Sequence, residues 1–522
     1  MGELAIKSPT LFKSENSKST LEKFEKTLTE ELIIGICSPI GSLKEKVLEN
    51  LKYKIETDYQ YEEVKILKLS EFIEEYEFTE EEKNEIPKVR TNASAIFSEY
   101  YNKINKGNII RKHNNNERLA EYAVKKIHVD RVAKTKEQKG LKDQNPKSTD
   151  YESRRVCYII DSIKTKEELY LLRKIYSENF YLISVFSSLE DRKANLKTKN
   201  FKNTEIEEII EIDDRQNYKY GQNVRDVFVE GDLFIRVSKG NIPKIDHKIS
   251  RFLHLVFETS IITPTIEEIA MYNAKAAAGN SACLSRQVGA CIVDDKENVL
   301  SIGWNDVPKY GGNLYTSNTE NDQRCFNHEF CSNDFQKSKV VDNIVESILN
   351  DEEFEELKKS SNIEFRLKEK IIKNTKVKDL IEFSRSVHAE MHAIIQGALT
   401  TGDKLIGSRL FCTTYPCHNC ARHIIAAGIK EVYYIEPYVK SLCLTLHEDA
   451  MSEKEDSNNK VKILIFDGVS PNRYLSFFTN FAERKNNGKL VKKDLKTAKP
   501  KSSKSLQALS TLEEQAVITL ES

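Results

Sequence analysis

The sequence predicts an α/β protein built from two successive sheet-centred domains. Three observations carry that reading. Strand-length apolar runs alternate with charged, helix-length segments through the first half of the chain. A second alternation of the same kind begins near Pro264. At about 150 residues per domain, 522 residues leave room for two or three cores.

Residues 1–30 come first, a polar, Ser- and Lys-rich stretch expected to be flexible and lacking the apolar core of a secretion signal. The first domain is expected over 31–255, with strands at 32–37, 64–69, 156–160, 181–186 and 233–237. Each run is rich in β-branched or large apolar residues, the pattern of a mostly parallel sheet covered on both faces. The polar stretch between the second and third runs includes Asn114-Asn115-Asn116 and residues 134–148 and predicts a helical insertion with a mobile loop.

The second domain is expected over 264–482. It opens with a helix at 266–278 and strands at 288–293 and 299–303. A Gly-rich loop and a charged insertion (340–380) lead to a helix carrying His388-Ala389-Glu390. Strand 409–413, helix 417–427, strand 431–435, helix 441–450 and strand 462–466 complete it. Residues 483–522 read as a flexible tail, because 484–504 holds nine basic residues and one acidic, Asp494.

Composition removes several function classes. Lys and Arg number 80 against 81 Asp and Glu, which argues against a dedicated nucleic-acid binder with a strongly basic domain. No run approaches the ~18 apolar residues of a membrane span, so no membrane partner is expected. Ten cysteines without a secretion signal predict thiols or metal ligands in a cytoplasmic protein, not a disulfide scaffold.

His388-Ala389-Glu390, separated by 25 intervening residues from Pro416-Cys417-His418-Asn419-Cys420, is the strongest motif. Zn²⁺ takes imidazole and thiolate ligands, and a catalytic site uses three of them with a fourth position open. His388, Cys417 and Cys420 supply that set, and a helix start at the cysteines favours thiolate. Glu390 is free to move protons. This His-x-Glu and Pro-Cys-x-x-Cys pattern resembles that of zinc-dependent deaminases. A structural zinc clip is the competing reading. His388 and His392 are also four apart, as in a His-Glu-x-x-His protease, but Glu390 is displaced by one position from that motif.

The first half offers a weaker signal. Gly35-Ile36-Cys37-Ser38-Pro39-Ile40-Gly41-Ser42 follows an apolar strand and precedes a helical run, where a phosphate-binding loop belongs. It has one residue more than a Walker loop and no Lys after Gly41, although Lys44 is near. Gly35, Gly41, Ser42 and Asp161 are therefore candidate nucleotide contacts, Asp161 standing where a Mg²⁺-holding carboxylate would. Without the lysine, a sensing module for ATP or another nucleotide is favoured over an active kinase.

Residues 264–482 resemble the deoxycytidylate deaminase branch of the cytidine deaminase superfamily. The resemblance is carried by the segment from Ser281 to Ala290, by Gly303-Trp304-Asn305-Asp306, by Glu436-Pro437-Tyr438 with Lys440-Ser441, by Leu446-His447-Glu448-Asp449, and by Gly468-Val469-Ser470-Pro471 with Arg473-Tyr474. With the degenerate kinase-like half in front, the whole chain resembles bacterial anti-phage dCTP deaminases. That implies an N-terminal P-loop nucleotide-kinase-like parallel sheet followed by a cytidine-deaminase-like α/β/α sandwich. It further implies that Asn305 bonds the sugar and that Ala389 and Tyr415 shape the base pocket. Arg286 and Lys440 are candidate phosphate contacts. Cys325, His328 and Cys331, with Cys283 as a completing ligand, are candidates for a second, structural Zn²⁺ of the kind some relatives carry.

The activity implied is deamination of free deoxycytidine nucleotides, mainly dCTP to dUTP and also dCMP to dUMP, depleting dCTP against phage. A metabolic dCMP deaminase, a nucleic-acid-editing deaminase and a non-catalytic zinc module are the alternatives. The resemblance implies a homo-oligomer held in check by a small noncoding RNA or a nucleotide effector.

Overall fold

The computed structural model describes residues 19–521 apart from 142–143, 215–219, 239, 241, 359, 439–440 and 480–483. The expectation for the N-terminus thus lies outside the described residues as far as residue 18. Beyond it, Thr20–Glu25 is a short helix closed by a capping box between Ser19 and Glu22. The chain divides into two units. The described parts of Met1–Gly231, Val237–Ile261 and Ala482–Ser522 form the first, and those of Asp232–Arg236 and Ile262–Phe481 the second.

In the first unit β1 (Leu32–Cys37), β2 (Glu63–Lys68), β3 (Val156–Asp161) and β4 (Phe180–Phe186) pair in parallel, in the order β2-β3-β1-β4. Ile33 of β1 stands opposite both Tyr158 and Phe180. Every residue of β1, β3 and β4 is buried, as continuous apolar runs require of a sheet covered on both faces. The polar stretch between β2 and β3 is mostly helix, with Ala95–His113 and Arg118–Lys139 its longest pieces. Gly140, at φ 67°, ends the second, so residues 134–139 belong to a helix and not to a loop.

The C-terminal segment corrects the expectation of a flexible tail. Leu506–Glu521 is a helix packed on Arg118–Lys139. Leu506, Leu509, Glu513, Ala516 and Leu520 lie on one buried face of it. Glu513 is fully buried and ion-paired to Arg131, which also pairs with Glu31 at the start of β1. The basic run at 484–504 drew attention from the apolar period behind it.

The second unit holds β5 (Leu233–Arg236), the expected fifth strand of the first domain, which pairs antiparallel with Gly468–Val469. Its main sheet comprises β6 (Gly289–Val293), β7 (Val299–Trp304), β8 (Arg409–Thr414), β9 (Glu431–Glu436), β10 (Met451–Ser452) and β11 (Val461–Ile465), in the order β10-β11-β9-β8-β6-β7. β6 is antiparallel to both neighbours, and the rest run parallel. Alternate residues point to opposite faces. Gly289 admits Ile266–Ala278 on one face, where a Cβ would sit 1.9 Å from the Ala274 carbonyl. Gly303 admits Ala389–Thr401 on the other, where a Cβ would meet Ala389 O and Ala393 N at 2.4 Å. The helix expected at 441–450 shrinks to Cys443–Leu446. Buried Cys443 faces Met451, and the chain leaves the helix to pair β10 with β11. Among the described residues no helix is long and apolar enough to cross a membrane.

Candidate active site

Two helix N-termini meet beside the C-terminal end of β8. His388 is the N-cap residue of Ala389–Thr401, and Cys417 that of His418–Ala426, where its Sγ accepts the Cys420 N–H at 3.4 Å. His388 Nδ1 lies 3.3 Å from the sulfur of Cys417 and 3.3 Å from that of Cys420. All three donor atoms fall within 4.8 Å of one another, and no other such group is gathered among the described residues. This donor set suits Zn²⁺, with bonds of about 2.0–2.3 Å and a fourth position left open.

The electrostatics fit a soft cation. The Cys417 thiol is pulled down to about 4, first by its hydrogen bond with Cys420 and then, against burial, by His388. Cys420 is pushed far up by burial, so the two sulfurs share one proton. His388 stays above the ordinary imidazole value; burial opposes this, but the Cys417 sulfur outweighs it. Glu390, buried at 4% exposure, is raised by burial and by the neighbouring Cys417 charge. A carboxyl held up in this way keeps a proton more readily than an exposed one, as a group that exchanges protons with a substrate must.

His388, Cys417 and Glu390 line a cleft of about 240 Å³ together with Asn305, Tyr415, Arg286, Tyr438 and Arg385, and Cys420 lies buried behind them. Residues 264–436 match the family model of the cytidine and deoxycytidylate deaminase zinc-binding region. The chain carries a domain of the cytidine and deoxycytidylate deaminase family. A probable deoxycytidylate deaminase of Drosophila melanogaster is 30% identical over 152 residues, 28% of this chain and 48% of that protein. ComE operon protein 2 of Bacillus subtilis (strain 168) is 47% identical over 55 residues, 10% of this chain and 29% of its own length. The chain thus spans about half or less of these curated relatives. The crystal structure of dCMP deaminase from the cyanophage S-TIM5 in complex with dCMP and dUMP matches 39% of this chain and 98% of its own, at 22% identity and TM-score 0.22.

Within the deaminase domain the expected substrate residues fare differently. Ala389 and Tyr415 are buried in the cleft wall. Asn305 lines the cleft, but its amide is engaged by the backbone. It donates to Arg286 O at 2.9 Å and accepts from Val288 N–H at 2.7 Å. Its neighbour Asp306, absent from the sequence-based candidates, accepts from Ala282 N–H at 2.9 Å, and its carbonyl takes the Val387 N–H at 2.9 Å, one residue before His388. Together these two residues brace the entry segment and the metal ligand. Arg286 is half-exposed, 3.2 Å from the Glu436 carboxylate and over the Tyr438 ring. Lys440 lies outside the described residues. His392 accepts the Trp304 N–H at 3.2 Å and contacts Asn313 at 3.0 Å, apart from the metal group.

The second zinc expectation is not met. Cys325, His328, Cys331 and Cys283 do not gather into a metal-ready group. Cys331 instead approaches Ser285 Oγ at 3.5 Å and Cys325 approaches Ser332 Oγ at 3.9 Å. Cys283, Cys325 and Cys331 line the cleft.

In the first unit, Gly35 has a packing role of its own. It sits within β1, and a Cβ there would strike Ile163 and Phe180 at 2.6 Å, so packing explains it. Gly41 does turn the loop, at φ 82°, and Ser42 is buried with its hydroxyl unpartnered. Other groups of the loop are answered internally. Ile40 N–H reaches Asp213 at 2.6 Å, and Lys164 contacts that same carboxylate at 2.7 Å and Ser38 O at 3.1 Å. Asp161, at the end of β3, is ion-paired to Lys44. Asp213 and Lys164 carried no recognisable motif.

Proposed function

We propose that the chain is a zinc-dependent hydrolase that deaminates free deoxycytidine nucleotides, dCTP first and dCMP second, releasing ammonia. The observation that carries this reading is buried Glu390 beside the His388, Cys417 and Cys420 donor group at one cleft. When bound there, Zn²⁺ supplies an activated water as nucleophile. Glu390 takes the proton from that water and passes it to the pyrimidine N3. The water oxygen bonds to C4, Glu390 takes the remaining proton from that oxygen, and it delivers this proton to the amine as the C4–N4 bond breaks and the C4 carbonyl forms. Ala389 and Tyr415 wall the base and exclude solvent, while Asn305 holds the entry segment in place. The family match and the deoxycytidylate deaminase relatives support a deoxycytidine nucleotide as substrate. The preference for dCTP rests on the resemblance of the whole chain. Purified protein offered dCMP, dCDP, dCTP, CTP and a cytosine-containing oligonucleotide should release ammonia from the deoxynucleotides. Release from the oligonucleotide alone would overturn the reading.

Loss of dCTP would starve a replicating phage, so the proposed role is defence in the bacterial cytoplasm, through a homo-oligomer gated by an RNA or nucleotide effector. Infected cells expressing the chain should lose dCTP and those expressing Glu390→Ala should not; equal pools and equal phage yields contradict this role. The first unit is proposed to sense nucleotide without turning it over quickly. Rapid phosphate release from ATP, lost in Asp161→Ala, would contradict that.

A further inference from the structure

A phosphorylated substrate needs a cation at the far end of the cleft from the metal donors. Two arginines of the described lining are candidates, and they stand in different states. Arg286 is held by Glu436 at 3.2 Å and by the Tyr438 ring, so an incoming phosphate would have to compete with a carboxylate. Arg385 is exposed, lines the same cleft and has no ion pair among the described residues.

Its position is constrained from both sides. Arg385 precedes the ligand His388 by three residues, and the intervening Val387 is pinned to Asp306 O at 2.9 Å. Three residues span at most about 10 Å, so the Arg385 backbone stays within that distance of His388, and both side chains line the cleft that would hold the nucleotide. Ser384 and Ser386 flank it and line the same cleft, the Ser384 hydroxyl accepting the Ser386 N–H at 3.2 Å. A planar guanidinium beside two hydroxyls is a donor set that matches phosphate oxygens.

We infer that Arg385 is the residue by which the cleft recognises the 5′-phosphate and prefers nucleotides to nucleosides. The inference rests on the deaminase reading and deepens it. Arg286 becomes a secondary contact, available only when Glu436 releases it.

The test compares wild type, Arg385→Ala, Arg385→Lys and Arg286→Ala, each confirmed to hold the wild-type zinc content. The ratio of kcat/KM for dCMP to that for deoxycytidine is measured, together with the Kd of dUMP by calorimetry. Arg385→Ala should lower the ratio and weaken dUMP about ten- to a hundredfold, the loss of one charge-assisted contact. Arg385→Lys should recover part of this loss, and Arg286→Ala should lose less. A ratio unchanged in Arg385→Ala, with wild type active on dCMP, overturns the inference and leaves the deaminase reading standing. A wild type inactive on dCMP and deoxycytidine alike overturns both.

Discussion

The loop after β1 in the first unit and the cleft of the second both collect polar groups where a β-strand gives way to a helix, yet they resolve them in opposite ways. Around the loop each cation has an anion. Lys44 has Asp161, Lys164 has Asp213 and Arg192 has Asp214 at 3.2 Å. Deeper in the same unit, Arg111 pairs with Glu168 at 2.6 Å, and Arg131 pairs with Glu31 and Glu513. In the cleft, buried Glu390 lies beside two thiols and an imidazole, and Arg385 has no ion pair among the described residues. Paired buried charges hold a structure together only while both partners remain. Unpaired, mutually perturbed groups in a cleft are available for chemistry. The two regions of one chain separate a structural use of charge from a catalytic one.

The sharpest way to break that contrast is to remove a group from each region and read different outputs. Glu390→Gln should lower kcat by about 10²–10⁴-fold or more while zinc content and thermal stability stay near wild type. An active Glu390→Gln protein would return the cleft to the structural class. In the first unit, Glu513→Ala strands Arg131 and should cost about 3–5 kcal/mol in denaturant unfolding. Replacing both, as Arg131→Met with Glu513→Leu, should recover much of that loss. If Glu513→Ala proves neutral, the C-terminal helix is not held by this pair.

A smaller effect sharpens the comparison through pH. The Cys417 thiol is pulled to about 4, so in metal-stripped protein its contribution to stability is present above the ordinary thiol value and is lost as pH falls through about 4. Ultraviolet thiolate absorbance of stripped protein should therefore persist at pH 6 and disappear near 4, and Cys417→Ser should lack it. Disappearance near pH 8 to 9 would mean that Cys420 and His388 do not hold the thiolate.

How much of this was legible in the sequence depends on whether the information was local. β1, β3, β4, β8 and β9 follow apolar runs within a residue or so of the expected ends. The grouping of His388, Cys417 and Cys420 was legible because each motif marks a helix start, with Cys417 and Cys420 on a single helical turn, although the fold is needed to bring the two starts together. Arg385 was not a candidate from the sequence because only the fold shows that Ser384-Arg385-Ser386 lines the cleft and that Arg286 is already taken by Glu436. Asp213 escaped for the same reason, since its partner Ile40 lies 173 residues away. The C-terminal helix was hidden by composition, as nine basic residues ahead of it outweighed the five-residue face that packs.

The central claim is that the His388, Cys417 and Cys420 group and Glu390 together make a zinc-dependent deaminase. Its most direct test is ammonia release from dCMP and dCTP by metal-stripped protein before and after zinc is restored, with bound zinc counted in parallel. Restoration should return one zinc at this site per chain together with ammonia and the matching uracil nucleotide, and Cys417→Ser should regain neither. Ammonia release that survives stripping, or that persists in Cys417→Ser, would contradict the assignment.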